Sequence, residues 1–387
     1  MAIPLTYNLK SLWGRRATSL GTAAGIALLV FVLASSLMLT RGVESTLLNA
    51  GTADRALVLD HDAYSEDGSR LSQSVVGLVA AAPGVLKTAE GVPLVTGESV
   101  VQIPFSKIDD EQQIYSVQIR GVTQTSFRLR PAVRIVEGRL ARPSTNEVIV
   151  GRGLVGQYSG LEMGKSFELG KNDSLTVVGV FDAESTAFES EVWADLDTLR
   201  AALGWNGYVS SITAQLTSPT AFDAFLARLQ LDRNQGVSAI RERAYYQKIS
   251  RNLAEAIQGL GGLLTLLFSL AAVLGAMITM YAAVGQRTRE IGVLRALGFT
   301  SRQVLAAFLL EALALSLIGA GIGVALALVT PFLDFHTTNV ANGQTIRFRF
   351  LPTLTILLGA MGVGAAVGML GGFFPALRAS RIHPTRA

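Results

Sequence analysis

Few residues in this chain have types and spacing suited to chemistry. Gly160-Leu-Glu-Met-Gly164-Lys165-Ser166 approaches a phosphate-binding loop, where four residues separate the glycines so that successive backbone N–H groups wrap a phosphate. Only three separate them here, and no buried strand pattern leads into Gly160, so a turn between strands is expected. Asp60-His61-Asp62 carries metal-ligating types, but His336 and His383 are remote in sequence, and a solvated turn is expected there too. Asp109-Asp110-Glu111 reads as a solvated acidic loop, with a calcium contact as its alternative. No Ser-His-Asp arrangement or nucleophile elbow occurs. The absence of cysteine excludes disulfides, zinc-thiolate sites and cysteine nucleophiles. The chain by itself shows no enzyme active site, and no cofactor or metal is expected in it.

The stretch Gln286–Val304 offers recognition instead of catalysis. Arg287, Arg289, Arg295 and Arg302 make it basic, and it separates two long apolar runs. A helical pattern through Ile291, Leu294 and Leu297 ends at Gly298, a residue suited to the left-handed turn after a helix. Thr300 then reads as an N-cap, with Gln303 completing a capping box and Phe299 and Val304 placed as a hydrophobic staple. Topology alone explains the sign of the arginines but not the capped turn. Arg287, Arg289 and Glu290 are therefore read as polar docking contacts, with Leu294, Leu297 and Phe299 as apolar ones. Arg295, Gly298, Thr300 and Arg302 complete the candidate site.

The elements that must hold this loop are membrane helices. Half of the 387 residues are hydrophobic and 16% are charged, and the mean hydropathy is positive. Four uncharged runs occur, at Ala17–Thr40, Ala256–Gln286, Ala312–Leu333 and Phe350–Leu377. Each reaches the roughly 20 residues that a spanning helix needs. The expected layout is a cytoplasmic N-terminus at 1–16, spans at 17–40, 256–286, 305–333 and 350–377, and an extracytoplasmic α+β domain at 41–255 with helical stalks at both ends. A cytoplasmic coupling segment at 287–304, an outer loop at 334–349 and a cytoplasmic tail at 378–387 complete it. The first run exceeds the apolar core of a signal peptide, so a retained anchor is expected over cleavage near Ala34-Ser35-Ser36.

Basic residues set the orientation. Lys10, Arg15 and Arg16, the four arginines of the loop, and Arg378, Arg381 and Arg386 outnumber Arg347 and Arg349 on the other side, which puts both termini and the loop inside. Arg241, Arg243, Lys248 and Arg251 oppose this, but long translocated domains largely escape the rule. The net charge of +4 thus reflects topology, and no nucleic-acid partner is expected. No span is expected to hold an ionisable residue between its ends, which disfavours a proton-coupled transporter or a channel. Small residues recur every four positions at Ala17/Gly21/Gly25, Ala271/Gly275/Thr279/Ala283, Gly319/Gly323 and Ala360/Gly364/Gly368/Gly372/Ala376. Such stripes let helix backbones approach in lipid, and Gly364, Gly368 and Gly372 are the favoured packing face.

Between Arg41 and Glu255, β-prone runs at Ala56–Leu59, Tyr115–Val122, Glu147–Val150 and Leu175–Val180 alternate with helical segments at Leu71–Ala82, Asp195–Leu203 and Ala221–Leu229. Two lobes are expected. Ile249, Leu253 and Ile257 form one stripe, so a helix of about 45 residues, roughly 65–70 Å long, is expected to run from Arg241 through the second span. Tyr245 and Tyr246 on it are read either as lining an inter-subunit cleft or as interfacial anchors.

The four-span plan resembles the MacB/FtsX-type (type VII, mechanotransmission) ABC transporter permeases. Arg287-Thr-Arg-Glu-Ile-Gly-Val-Leu-Arg-Ala-Leu-Gly298 is similar to the family's signature after its second span. Pro375-Ala-Leu-Arg378-Ala-Ser-Arg381-Ile-His-Pro384 is similar to its ending. Val136-Glu-Gly-Arg139, Glu147-Val-Ile-Val-Gly151, Met163-Gly164 and Val177-Val-Gly-Val180 resemble its periplasmic core. The resemblance implies an inner-membrane permease subunit, homodimeric, under each copy of which a separate ATPase subunit binds ATP and Mg. MacB carries its ATPase at the N-terminus of its own chain. About 16 residues precede the first span here, with no Walker motif, so a partner polypeptide is expected to supply hydrolysis. The resemblance further implies movement of the periplasmic domain that drives export or extraction of a lipoprotein, glycolipid, peptide or drug, with a periplasmic adaptor and an outer-membrane channel as further partners. The alternatives are an FtsX-like signalling scaffold that regulates a cell-wall hydrolase without transport, and an ATPase-independent anchored receptor, which would have no need of the basic turn.

Overall fold

The structure is a computed structural model that describes residues 16–382 apart from 109–113, 171–172, 232–235, 333–334 and 339–344. Asp109-Asp110-Glu111, His383, Lys10, Arg15 and Arg386 lie outside the described residues. The chain begins with α1 (Arg16–Leu48), β1 (Arg55–Asp60), β2 (Leu71–Ser72), α2 (Ser74–Ala80), β3 (Val95–Ser106), β4 (Ile114–Val122) and α3 (Gln124–Leu129). It continues through β5 (Arg134–Gly138), β6 (Glu147–Gly151), β7 (Ser166–Gly170), β8 (Asp173–Asp182), β9 (Glu191–Asp195) and α4 (Leu196–Leu203). Then come β10 (Tyr208–Val209), β11 (Ser211–Gln215), α5 (Phe222–Gln230), β12 (Val237–Arg241) and the 45-residue α6 (Glu242–Gln286). The last elements are α7 (Thr288–Ala296), α8 (Ser301–Ala327), β13 (Phe335–Thr338), β14 (Thr345–Phe348) and α9 (Leu354–Ser380).

Two units emerge: 1–42, 254–333 and 349–387 form a helical one, and 43–253 with 334–348 a sheet-based one. Four helices, containing Ser19–Leu48, Glu242–Gln286, Ser301–Phe332 and Leu354–Ser380, are long and apolar enough to cross a membrane. Within the helical unit, Ile26, Leu29, Val30, Ala34 and Met38 of α1 share a buried core with Ala272, Ala320, Ala327 and Ala360.

Close approach between backbones is localised. A Cβ placed on Gly319 would lie 2.6 Å from the Ala23 carbonyl oxygen, and one on Gly323 would lie 2.5 Å from that of Ala27, so glycine is what lets α8 lie on α1. Gly364 meets Val30 and Ala320, Gly368 meets Ser316, and Gly372 meets Ala312, which seats α9 on α8. The stripe on α6 behaves differently. Ala271 is exposed and a Cβ on Gly275 meets nothing within 4 Å, while Thr279 meets the Thr22 hydroxyl of α1 at 2.9 Å and Ala283 is buried beside Ala272, Ala276 and Met280. A strict four-residue stripe drifts around a helix of 3.6 residues per turn, and the larger side chains Met280 and Val284 select the inward face. Gly21 likewise is not a close contact, and Gly25 only touches Ala272 at 3.9 Å.

The Gly323 contact gives a direct test. Gly323→Val should lower the thermal midpoint of the detergent-solubilised chain by the equivalent of about 1–3 kcal/mol of overpacking. Gly321→Val, where a Cβ meets nothing within 4 Å, should leave it unchanged. Equal midpoints for the two variants would mean that α1 and α8 do not need this contact.

The sheet-based unit is built on ten strands in the order β12-β1-β11-β3-β4-β9-β6-β8-β5, with β7 added on β8. Parallel pairs occur at β4/β9 and β6/β8, the other pairs being antiparallel. Strand β3 serves two partners in succession: Val95–Glu98 pair with β11, and Ser99–Ser106 pair with β4. Two apolar cores follow from that hand-over. One packs α2 and α5 on β1 and β11 through Val58, Val79, Ile212, Phe225 and Leu229. The other gathers Val117, Ile119, Val148, Val150, Tyr158, Val177 and Val192.

Candidate coupling site and a buried charge network

The α7–α8 segment is built as a closed turn. Gly298 has φ 93, the left-handed conformation that ends α7. Phe299 N–H donates to the Leu294 carbonyl and Gly298 N–H to that of Arg295, the paired bonds of a Schellman motif. Thr300 caps α8 reciprocally: its hydroxyl accepts from Gln303 N–H, and its own N–H donates 2.8 Å to Gln303 Oε1. Ile291 and Val304 are buried with Met280, Val284, Phe308, Ala312, Ala376 and Ala379, which anchors the turn to the ends of α6, α8 and α9.

The sequence-selected residues separate into two groups. Arg287 Nη1 is 3.1 Å from Glu311 Oε2, and Arg295 Nη1 donates 3.1 Å to the Phe299 carbonyl, so both arginines act inward. Arg289, Glu290, Leu297, Gly298, Thr300 and Arg302 are exposed, Leu297 at 73%, and Leu294 and Phe299 are half-buried. Those exposed residues form a mixed charged and apolar face on a rigid turn.

Glu311 corrects one expectation. It lies in the third turn of α8, inside the expected span 305–333, and is 6% exposed. A buried carboxylate there is tolerated because Arg287 reaches it from the end of α6, since a charge leaves water only with a partner. The signal was visible as an acidic residue, Glu311, directly before the third uncharged run, with a basic residue, Arg287, directly after the second.

The other sequence candidates resolve locally. Gly160 N–H donates to the Glu162 carboxylate, Gly164 N–H to the Val177 carbonyl, and Lys165 N–H to that of Glu162. Amides that a phosphate would need are thus committed within the turn leading to β7. At Asp60-His61-Asp62, His61 N–H donates to the Gly236 carbonyl and Asp62 N–H to Asp60 Oδ1, an Asx turn. Among the described residues, no group of three or more His, Cys, Asp or Glu is placed to hold a metal ion.

A constellation that sequence reasoning missed sits where β3 changes partner. Arg120 of β4, 1% exposed, has all five N–H donors occupied by carboxylates. Nε and Nη2 grip Glu191 at 2.8 and 3.0 Å, Nη1 and Nη2 grip Glu66 at 2.9 and 3.0 Å, and Nη1 also reaches Glu98 at 2.9 Å. Arg130 clasps Glu98 from the other side at 2.5 and 3.0 Å. Trp193 Nε1–H, Gln118 Nε2–H and the Ser211 hydroxyl supply further donors to Glu191 and Glu66. The Phe188 ring faces both guanidinium groups at 5.5 and 4.9 Å.

The same cluster receives the first turn of α6. Glu242 pairs with Arg55 at 3.1 Å and accepts the Thr52 N–H, and the Tyr245 hydroxyl accepts the Glu66 N–H. Tyr245 and Tyr246 are 5% and 7% exposed and pack edge-on to each other, with Tyr246 also against Phe188. They neither line a cleft nor anchor an interface, because closing this polar cluster requires their rings as its cover. Burial alone would raise the Glu98 carboxyl, but the charges of Arg130 and Arg120 outweigh it and hold it at about 2. Glu66 is lowered in the same way, burial being outweighed by Arg120. Burial wins at Glu242 and pushes it up, against the pull of Arg55 and Arg130.

With fold and site in place, comparison defines the class. Residues 262–384 match the FtsX-like permease C-terminal model, and residues 18–231 match the MacB-like periplasmic core domain. The second match alone covers more than half of the sequence, and the chain belongs to the MacB/FtsX-type ABC transporter permeases. It is similar to the macrolide export ATP-binding/permease protein MacB of Shewanella sp. (strain ANA-3), 26% identical over 400 residues, covering 96% of this chain and 57% of that protein. MacB of Brucella melitensis biotype 1 is 28% identical over 398 residues, with the same coverage of 96% and 57%. The chain therefore spans just over half the length of these relatives. Among solved structures, the periplasmic region of MacB from Actinobacillus actinomycetemcomitans is similar with a TM-score of 0.37 at 13% identity, covering 51% of this chain and 92% of that one. The four apolar helices and the family membership make this a multi-pass inner-membrane protein whose sheet-based unit is a periplasmic core domain.

Proposed function

We propose that this permease transmits ATP-driven motion from a cytoplasmic ATPase to its periplasmic domain, driving export or extraction of a periplasmic or outer-leaflet substrate. The observation that carries the reading is the α7–α8 turn: a rigid, doubly capped segment with Leu297 73% exposed between charged residues, tied inward by Arg287 and Glu311. An exposed leucine ringed by charged side chains on a capped turn has the make-up of an apolar anchor within a polar rim, which suits a protein partner. The ATPase that covers it binds ATP and Mg outside these 387 residues' own motifs, one ATPase under each of two permease copies. The distribution of Lys and Arg supports a cytoplasmic turn and cytoplasmic termini. The relatives' description as macrolide exporters supports export, with a lipoprotein, glycolipid, peptide or drug as the substrate and a periplasmic adaptor and outer-membrane channel as partners downstream.

The turn itself is the place to test this. The wild-type chain, purified from its host membrane, should carry an ABC ATPase with it. The Leu297→Asp/Arg289→Glu variant should lose that ATPase by at least about tenfold, as expected for an apolar anchor within a charged rim. Both side chains are exposed, so the variant should melt with the wild type. An unchanged ATPase yield in the variant, or none with the wild type, would refute the reading.

A further inference from the structure

The end of the helical unit that carries the α7–α8 turn also carries a cavity that coupling does not use. It measures about 690 Å³ and lies between the last turns of α6 with the start of α7 and the last turns of α9. Tyr281, Val284, Gly285 and Thr288 line one wall, at the spacing of a single helical face, and Phe374, Leu377, Arg378, Arg381 and Ile382 line the other. The described lining contains two arginines and no acidic residue. Arg378 lies over the Tyr281 ring at 5.8 Å, and both arginines are exposed. Among the described residues, neither arginine makes an ion pair. A Cβ on Gly285 meets nothing within 4 Å, so the floor of the groove is open there.

The chemistry of the lining runs in one direction. Phe374 and Leu377 continue the apolar surface of α9, while Arg378 and Arg381 follow one turn later at its end. A ligand that fits must present an anionic group to two guanidinium groups and hydrocarbon to the aromatic and aliphatic residues beside them. Guanidinium groups match phosphate oxygens through paired N–H donors, and basic pockets between membrane helices suit anionic headgroups. We propose that this groove is a binding site for an anionic phospholipid, with Arg378 and Arg381 on the headgroup phosphate and Phe374 and Leu377 along its acyl chains. Topological charge alone would need the arginines but not an open, aromatic-lined cavity between two helices. The lipid would wedge α6 against α9 at the level of the coupling turn, so its occupancy bears on how firmly the turn is held.

The test uses the full chain, exchanged into nanodiscs of equal phosphatidylglycerol and phosphatidylcholine, then extracted in mild detergent and weighed with retained lipid by native mass spectrometry. Wild type should retain phosphatidylglycerol over phosphatidylcholine by roughly tenfold, and Arg378→Gln/Arg381→Gln should bring the ratio near parity. Gly285→Phe, which fills the groove and keeps both charges, should do the same. Arg302→Gln, at the same end but outside the groove, should keep the wild-type ratio, and millimolar inorganic phosphate should not displace the lipid. Parity in the wild type, preference surviving in both groove variants, equal loss in Arg302→Gln, or displacement by phosphate would each overturn the proposal. Thermal midpoints equal to that of the wild type show that the variants are folded, and parity in the wild type sinks the proposal even where a variant fails to fold.

Discussion

Arg120→Met should destabilise the periplasmic domain by about 3–5 kcal/mol, and should invert its pH dependence. The guanidinium is the common partner of Glu66, Glu98 and Glu191, all buried. Removing one partner of a buried ion pair costs about 3–5 kcal/mol, because a charge is left in the interior without compensation. Three carboxylates share that loss here, against a stability of about 5–15 kcal/mol for a whole domain. In the wild type, Glu66 and Glu98 have folded pKa values below the ordinary 4.5, with Glu98 at about 2. Their contribution is therefore present above pH about 4.5 and is lost as the pH falls toward 2. Without Arg120, Glu66 loses both of its main lowering contacts and burial pushes its carboxyl up, while Glu98 keeps Arg130, so the folded variant takes up a proton at Glu66 and gains stability as the medium is acidified from neutrality. Glu242, already raised, follows this second sign in the wild type: its contribution is full below 4.5 and fades as the pH rises through its folded value. Thermal melts followed by tryptophan fluorescence between pH 8 and 4 would show the wild-type and variant curves converging as the pH falls. Parallel curves would mean that the carboxylates are solvated and that the network contributes nothing. Arg120→Lys should recover only part of the loss, since an ammonium cannot grip two carboxylates bidentately.

How much of this was legible in the sequence depends on the range of the interaction. Apolar runs, the α6 helix and the capped turn are local patterns: Ile249, Leu253 and Ile257 announce one helical face, and Gly298 followed by Thr300 and Gln303 states its own geometry. The strands at Ala56–Leu59, Tyr115–Val122, Glu147–Val150 and Leu175–Val180 lie within β1, β4, β6 and β8 for the same reason. The start of α2 was misjudged, because Leu71 and Ser72 pair with Tyr208 and Val209 as a short ladder and the helix begins only at Ser74. The charge network was illegible. Its carboxylates at 66, 98 and 191 are far apart in sequence, and each looks like an ordinary surface residue until β3 and β9 flank β4. Gln118 and Arg120, two residues apart and so on one face of a β-prone run, were the available signal. Periodicity served only in part for the small residues on α6: the four-residue rule picked Thr279 and Ala283 on the packed side, but also Ala271 and Gly275, which face open space.

The Arg287–Glu311 pair should prove to be the tie between the coupling turn and the helices above it. Ile291 anchors α7 by its apolar side, but one buried side chain leaves a nine-residue helix free to roll about it. Arg287, directly before α7, fixes that rotation by reaching Glu311 across to α8 at 3.1 Å. Glu311→Leu is expected to leave the guanidinium, 13% exposed, without this partner, at a cost approaching about 3 kcal/mol. Arg287→Met should cost a similar amount by taking this guanidinium away from the buried Glu311 carboxylate. The double variant Arg287→Met/Glu311→Leu should lose less than the two singles together by at least about 1.5 kcal/mol, because neither charge then remains buried. Thermal midpoints in detergent give the cycle, and recovery of the co-purified ATPase gives its functional side. The singles should recover less ATPase than the wild type although neither side chain lies on the exposed face, since a rolled α7 presents Arg289 and Leu297 in the wrong direction. Additive midpoints, or full ATPase recovery with Glu311→Leu, would show that apolar packing of Ile291 and Val304 suffices to aim the turn, and that the buried pair is incidental to coupling.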